Sequence, residues 1–158
     1  MTGDIDNVRT HCIENNRRVV FTNGCFDLLH PGHVKSLEFA KNYQRNIKQN
    51  ILIVGINSDS SVKKLKGDKR PIYREYWRTY IVNSLEFVDY TIVFDEVSVL
   101  NLIYLIRPDI LVKGETTHDI VGKDFVESYG GIVLKSPVVG DGEKAISTSY
   151  IINRIKNL

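Results

Sequence analysis

The 158-residue sequence predicts a Rossmann-like α/β domain, a parallel sheet of about five strands with helices on both faces. Three observations carry this. Short apolar runs at 19–21, 51–56, 90–94, 110–112 and 132–134 have the length of buried strands. Segments with helical spacing separate these runs, so successive strands pair in parallel through right-handed crossovers. The run at 51–56 is almost continuously apolar, as in a strand covered on both faces.

The elements follow in order. Residues 4–16 read as a short polar helix with Val8, Cys12 and Ile13 inward. The first strand enters a turn at Asn23-Gly24, and a helix starts at Pro31, where a missing N–H costs nothing. Val34, Leu37 and Ala40 form its inward stripe, leaving Lys35, Glu38 and Lys41 for solvent. A polar connection at 46–50 leads to the second strand, which ends in Asn57-Ser58-Asp59, at the carboxyl end where open α/β sheets bind ligands. The basic stretch 63–71 reads as a solvated loop, without the interleaved aromatics of a nucleic-acid surface. A helix from Arg74 buries the stripe Trp77, Ile81, Leu85 and Val88, with Arg78 off it. Leu100, Ile103 and Tyr104 mark a further helix, which Pro108 stops. Residues 123–129 are helical, Gly130-Gly131 turns, and a last helix carries Ile151, Ile152, Ile155 and Leu158 on one stripe.

Composition narrows the function. Hydrophobic content of 42% and charged content of 25% are those of an ordinary globular protein, and 158 residues make one domain, 1–158. A net charge of +2 does not call for nucleic acid. No run of eighteen apolar residues spans a membrane, and residues 1–7 lack the apolar centre of a signal peptide. Two cysteines make no disulfide framework, so the expected setting is the reducing cytoplasm.

The chemistry is concentrated between residues 22 and 33. His30 and His33, three apart, share one side of the first turn of a helix, beside free backbone N–H groups and the positive end of the helix dipole. That combination is an anion site. His11 and His118 are remote and Cys25 precedes the turn, so no metal set is assigned. Three successive hydroxyls, Ser147, Thr148 and Ser149, stand at the start of the last helix: one serves as a cap, and together they suggest a second phosphate cradle.

Gly24-Cys25-Phe26-Asp27 followed by His30-Pro31-Gly32-His33 resembles the signature of the nucleotidylyltransferase superfamily. The fuller form from Thr22 to Asp27 is most similar to the adenylyltransferases that make ADP-heptose from ATP and heptose 1-phosphate. The segments at 57–67, 70–72, 111–114, 120–122 and 130–131 agree, and the resemblance runs from Arg18 to the end. It implies a nucleotide site of Asn23, Gly24, Cys25, Phe26, His30, Gly32 and His33, joined by Lys113 and Gly114 and by Ser147, Thr148 and Ser149. It implies substrate contacts at Asp27, Asn57, Asp59 and Lys66. It implies a catalytic set of His30, His33, Lys35 and Arg78, with Mg²⁺ expected to be carried mainly on the triphosphate.

Two segments depart from that pattern. Glu115-Thr116-Thr117-His118 replaces the usual glycine-aspartate-tyrosine, and the stretch 140–144 is longer than usual. Residues 145–149 resemble the choline- and ethanolamine-phosphate cytidylyltransferases almost as well. The sugar kinase domain often fused to this activity is not in the sequence, so a separate kinase is expected to supply the substrate. The alternatives are therefore a cytidylyltransferase acting on an alcohol phosphate with CTP, and a non-catalytic nucleotide-binding module. The aromatic stretch Tyr73 to Trp77 is a candidate homodimer face.

Overall fold

A computed structural model describes residues 2–115, 117–141 and 144–158; Thr116 in the first departing segment, and Gly142 and Glu143 in the second, lie outside the described residues. Five strands form one sheet: β1 (Arg18–Gly24), β2 (Asn50–Asn57), β3 (Tyr90–Phe94), β4 (Ile110–Gly114) and β5 (Ile132–Ser136). Their order is β3-β2-β1-β4-β5, and every neighbouring pair is parallel. The helices are α1 (Thr2–Glu14), α2 (Pro31–Asn42), α3 (Asp59–Lys66), α4 (Glu75–Asn83), α5 (Leu100–Ile106), α6 (Lys123–Ser128) and α7 (Thr148–Lys156). Between β5 and α7 the chain makes a small hairpin, β6 (Gly140–Asp141) with β7 (Lys144–Ala145), that the sequence did not signal.

Alternate strand residues feed two cores, because successive side chains point to opposite faces. Val19, Phe21, Ile51, Ile53 and Leu111 pack with Cys12, Ile103, Ile106 and Val126, under α1, α5 and α6. Val20, Leu52, Val54, Ile56, Ile110 and Val112 pack with Leu37, Ala40 and Val82, under α2 and α4. β1 lies at the centre, and the chain winds one way from it through β2 and β3, then the other through β4 and β5. The gap between β1 and β4 at their carboxyl ends is thus the topological switch point, where such sheets bind ligands.

Four sequence expectations change. Ile13 is exposed, and on α1 it is Cys12 that is buried. The first part of the basic stretch is helical: Lys63, Lys64 and Lys66 form the last turn of α3, where cations favour the negative end of the dipole. On α4 the inward face is Arg78 and Val82, while Trp77 is 55% exposed. The helix stops at Asn83, so Leu85 and Val88 pack on the core from the following turn rather than continuing a stripe. No residue of α7 is fully buried, and Ile155 and Leu158 are exposed.

Arg78 can be buried because its charge is met inside. Its guanidinium donates to the Tyr73 carbonyl (2.9 Å), the Cys25 carbonyl (2.6 Å) and Asp59 Oδ1 (2.9 Å). Asp59 and Glu75 then bond reciprocally, each carboxylate accepting from the other's backbone N–H at 2.7 and 2.8 Å, which ties the start of α3 to the start of α4. Asp27, 1% exposed, accepts from Arg70 Nε and from the N–H groups of Ile72 and Tyr73. These bonds pin the 67–75 connection across the end of β1.

Candidate active site

A cleft of about 520 Å³ opens at the switch point. Its floor is the carboxyl end of β1 (Thr22, Asn23, Gly24) and of β4 (Gly114, Glu115); one side is the first turn of α2, and the other is Ser136 to Val139 with Ala145, Ile146 and Ser147.

His30 occupies the N-cap of α2 in an extended conformation and makes no side-chain capping bond. Pro31 has no N–H to lose, and the N–H of His33 returns to the His30 carbonyl at 2.9 Å. The first turn is therefore left without a side-chain cap where it meets the cleft at Gly32. A Cβ at Gly32 would lie 3.0 Å from the His30 ring and 3.5 Å from the Ile146 carbonyl, so glycine lets ring, helix start and far wall converge.

The two imidazoles stack, with centroids 3.7 Å apart and planes 25° apart, and Phe26 lies against His33 at 5.1 Å. Phe26 adopts a positive φ of 47°, which is uncommon for a bulky side chain and turns the ring back under the histidines. Burial pushes the His33 imidazole down to about 3, with His30 adding to the effect and the Leu28 backbone and Asp27 opposing it. Burial likewise lowers His30. Both rings are neutral at pH 7, so each carries one N–H donor and one acceptor nitrogen. The Nδ1 atoms of both rings are buried without a hydrogen-bond partner.

Behind Asn23, the Lys113 ammonium donates to Asn23 Oδ1 at 2.6 Å. Burial lowers its pKa to about 8. On the far wall Ser147 caps α7, accepting from the Tyr150 N–H at 3.1 Å.

The structure thus brings Asn23, Gly24, Phe26, His30, Gly32, His33, Gly114 and Ser147 to one cleft. Thr148 and Ser149 follow the cap in the first turn of α7 but do not line the cavity. Other expected site residues stand elsewhere. Lys35 lies two positions beyond His33, about 200° round the helix, and pairs with Glu38 at 2.7 Å outside the cleft. Arg78 is wholly buried and offers no surface to a phosphate. Asp27 is spent on the 70–73 backbone and Arg70, and Asn57 is buried, donating to Ser61 Oγ. Asp59 serves Arg78 and Glu75. Lys66 is exposed at the end of α3, and Cys25, its carbonyl held by Arg78, is not among the residues lining the cavity. Thr22, Ser36, Ser136 and the wall 137–139 are additional cleft residues; Ser136 could have been found as the polar residue ending the apolar run of β5. Among the described residues no group of three or more His, Cys, Asp or Glu could hold a metal ion.

Known proteins share this chain's sequence and fold. The cytidylyltransferase-like family matches residues 21–154. The bifunctional protein HldE of Geobacter metallireducens is 49% identical over 141 residues, covering 88% of this chain and 27% of that protein. HldE of Campylobacter jejuni is 44% identical over 146 residues, covering 91% and 29%. The chain therefore spans about a quarter of the length of these curated relatives. Among solved structures, the lipopolysaccharide core biosynthesis protein from Thermoplasma volcanium superposes with a TM-score of 0.62 at 25% identity, covering 77% of this chain and 98% of that one. Pantoate-beta-alanine ligase from Francisella tularensis shares the fold, with a TM-score of 0.67 at 16% identity over 99% of this chain and 71% of that one.

Proposed function

The chain belongs to the cytidylyltransferase-like family, and from that premise we propose that it transfers AMP from ATP to a heptose 1-phosphate-like sugar phosphate, releasing pyrophosphate. The observation that carries the reading is the stacked, uncharged His30–His33 pair on an uncapped helix start, opening into the switch-point cleft. The similarity to HldE and the run Thr22 to Asp27 favour adenylyl transfer over the other nucleotides.

A phosphate oxygen of the sugar phosphate attacks the α-phosphorus of ATP, and the bond to the bridging oxygen breaks, leaving its electron pair on pyrophosphate. The attacking group is already ionised and needs no general base. The work is positioning, and stabilising charge that builds on the α-phosphoryl and leaving oxygens. Neutral imidazole N–H groups suit this, because they donate without binding the ground-state anion as tightly as a full positive charge. The first turn of α2 and the hydroxyl of Ser147 hold phosphate oxygens.

Magnesium supplies charge neutralisation on the triphosphate in such reactions. Among the described residues no group of three or more His, Cys, Asp or Glu could hold a metal, and Glu115 is the one carboxylate lining the cleft, so a magnesium ion would be held mainly by the triphosphate and its waters, with Glu115 within the same cavity. No helix among the described residues is long and apolar enough to cross a membrane, and we place the reaction in the cytoplasm, where ATP is available. The chain acts as one domain. Tyr76, Trp77 and Tyr80, 73, 55 and 67% exposed on the outer face of α4, with Tyr73 and Ile72 beside them, make the homodimer surface. At roughly 150–250 Å² per aromatic side chain, scaled by these exposures, they supply about half of one partner's share of a standard interface.

Pyrophosphate release, measured for ATP and CTP against sugar 1-phosphates and alcohol phosphates, tests the reading. Turnover is expected with ATP and heptose 1-phosphate. A preference for CTP with an alcohol phosphate would establish the second reading, which the sequence of residues 145–149 favours, and release with no pair would leave a binding module.

A further inference from the structure

The half-buried lysine at the end of β4 has no carboxylate partner among the described residues. Lys113 forms no ion pair among the described residues, and its ammonium is desolvated, yet it does not line the cleft. Its one hydrogen bond is the 2.6 Å contact to Asn23 Oδ1 on the neighbouring strand. Asn23 does line the cleft, between Thr22 and Gly24 and in the same cavity as both histidines.

The direction of that amide follows from chemistry. An ammonium has three donors and no acceptor, so only the carbonyl side of an asparagine amide can face it. The planar amide then turns its NH₂ group away from the lysine. With Oδ1 occupied, Asn23 offers the cleft donors only. If the lysine were absent, the amide could rotate by half a turn and present its oxygen, which repels a phosphate. An ammonium reaching the cleft directly would act as a charge; one behind the asparagine acts on orientation.

We propose that Lys113 is a positioning residue: by holding Asn23 Oδ1 it locks the Asn23 amide with its N–H donors toward the cleft, where they bind a phosphate oxygen of the nucleotide. This rests on the nucleotide reading above and goes beyond it by assigning Lys113 a role without direct ligand contact.

A double-mutant cycle tests it, with α,β-methylene ATP as the probe and calorimetry as the readout. Lys113→Met and Asn23→Ala should each weaken binding about tenfold, and the double variant should be no weaker than Asn23→Ala alone. Lys113→Gln, which loses the charge but keeps an N–H donor, should restore affinity to within about threefold of wild type. Multiplying effects, about a hundredfold in the double variant, would mean that Lys113 meets the nucleotide itself and would overturn the proposal. So would unchanged affinity in Lys113→Met, or Lys113→Gln as weak as Lys113→Met. Thermal melting of each variant separates lost binding from lost folding.

The nucleotide-free protein provides an independent arm. The Asn23 side-chain amide resonances should shift and broaden in Lys113→Met and stay sharp in Lys113→Gln. No change in Lys113→Met would refute the lock whether or not nucleotide binds. A wild-type protein with the lock in place that binds no analogue would instead refute the nucleotide reading, and the phosphate role of Asn23 with it.

Discussion

Replacing His33 by alanine separates catalysis from architecture. The lost ring stacks on His30 at 3.7 Å and tilts against Phe26 at 5.1 Å, contacts worth ~0.5–1.5 kcal/mol each. Against this, the variant removes a buried Nδ1 with no partner, a defect costing ~1–3 kcal/mol. Alanine also gains up to ~0.7 kcal/mol of helix propensity near the start of α2. These terms offset one another to within about 1 kcal/mol, so the melting temperature should move by only about 2–4 °C. The chemical effect is larger. Loss of one donor that acts on transition-state charge lowers kcat by roughly 10²–10³, and KM should change far less because ground-state binding is shared with backbone groups. His33→Phe keeps a ring in the stack but has no N–H, so it should lose the same activity. Steady-state pyrophosphate release and thermal melting on the same preparations provide both quantities. If kcat per folded molecule stayed within threefold of wild type in both variants, His33 would be a packing residue and the proposed mechanism would lose its centre.

Further outcomes follow from the same geometry. Arg78→Met leaves Asp59 and the carbonyls of Cys25 and Tyr73 without their donor, so urea unfolding should show a loss of about 3–5 kcal/mol; Arg78→Lys should recover less than half, because an ammonium cannot span three acceptors. A surface phosphate ligand would instead leave stability within about 0.5 kcal/mol. Ser147, not Thr148, caps α7, so Thr148→Ala should leave the melting curve unchanged, and a several-fold loss of ATP affinity there would mark a ligand contact. Ser147→Ala should fray α7 by about 1 kcal/mol, visible in amide exchange. Burial lowers the pKa of both His30 and His33 from 6.5, so between 6.5 and the lowered values the unfolded chain binds more protons than the folded one. Their contribution is therefore intact above pH 6.5 and is lost as pH falls. Urea midpoints at pH 7.5, 6 and 5 should decline, and the decline should be shallower in His33→Phe. Trp77→Glu should shift sedimentation to that of a single chain, and an unchanged sedimentation coefficient would remove α4 as the dimer face.

Much of the site was legible because it is local. Asn23, Gly24, Phe26, His30, Gly32 and His33 lie within one strand, turn and helix start, so their relative placement follows from element geometry at short range. The strands were legible too, since a sheet covered on both faces demands uninterrupted apolar runs, and all five appear in the sequence. The hairpin at 140–145 was not, because two-residue strands carry no periodicity.

Sequence alone determined the α/β class, the two-sided core and the histidine pair at a helix start. Each depends on patterns repeating within a few residues. Tertiary structure alone decided what the remaining charged residues do. Arg78 reads as a surface cation because a buried guanidinium needs partners, and its partners Cys25 and Asp59 lie 53 and 19 residues away. Asp27 reads as a substrate carboxylate until Arg70, Ile72 and Tyr73 fold back onto it. Lys113 and Asn23, 90 residues apart, meet only because β1 and β4 are neighbours. The cost of burying a charge or an amide is set by who meets it there, and that is known only once the chain has folded.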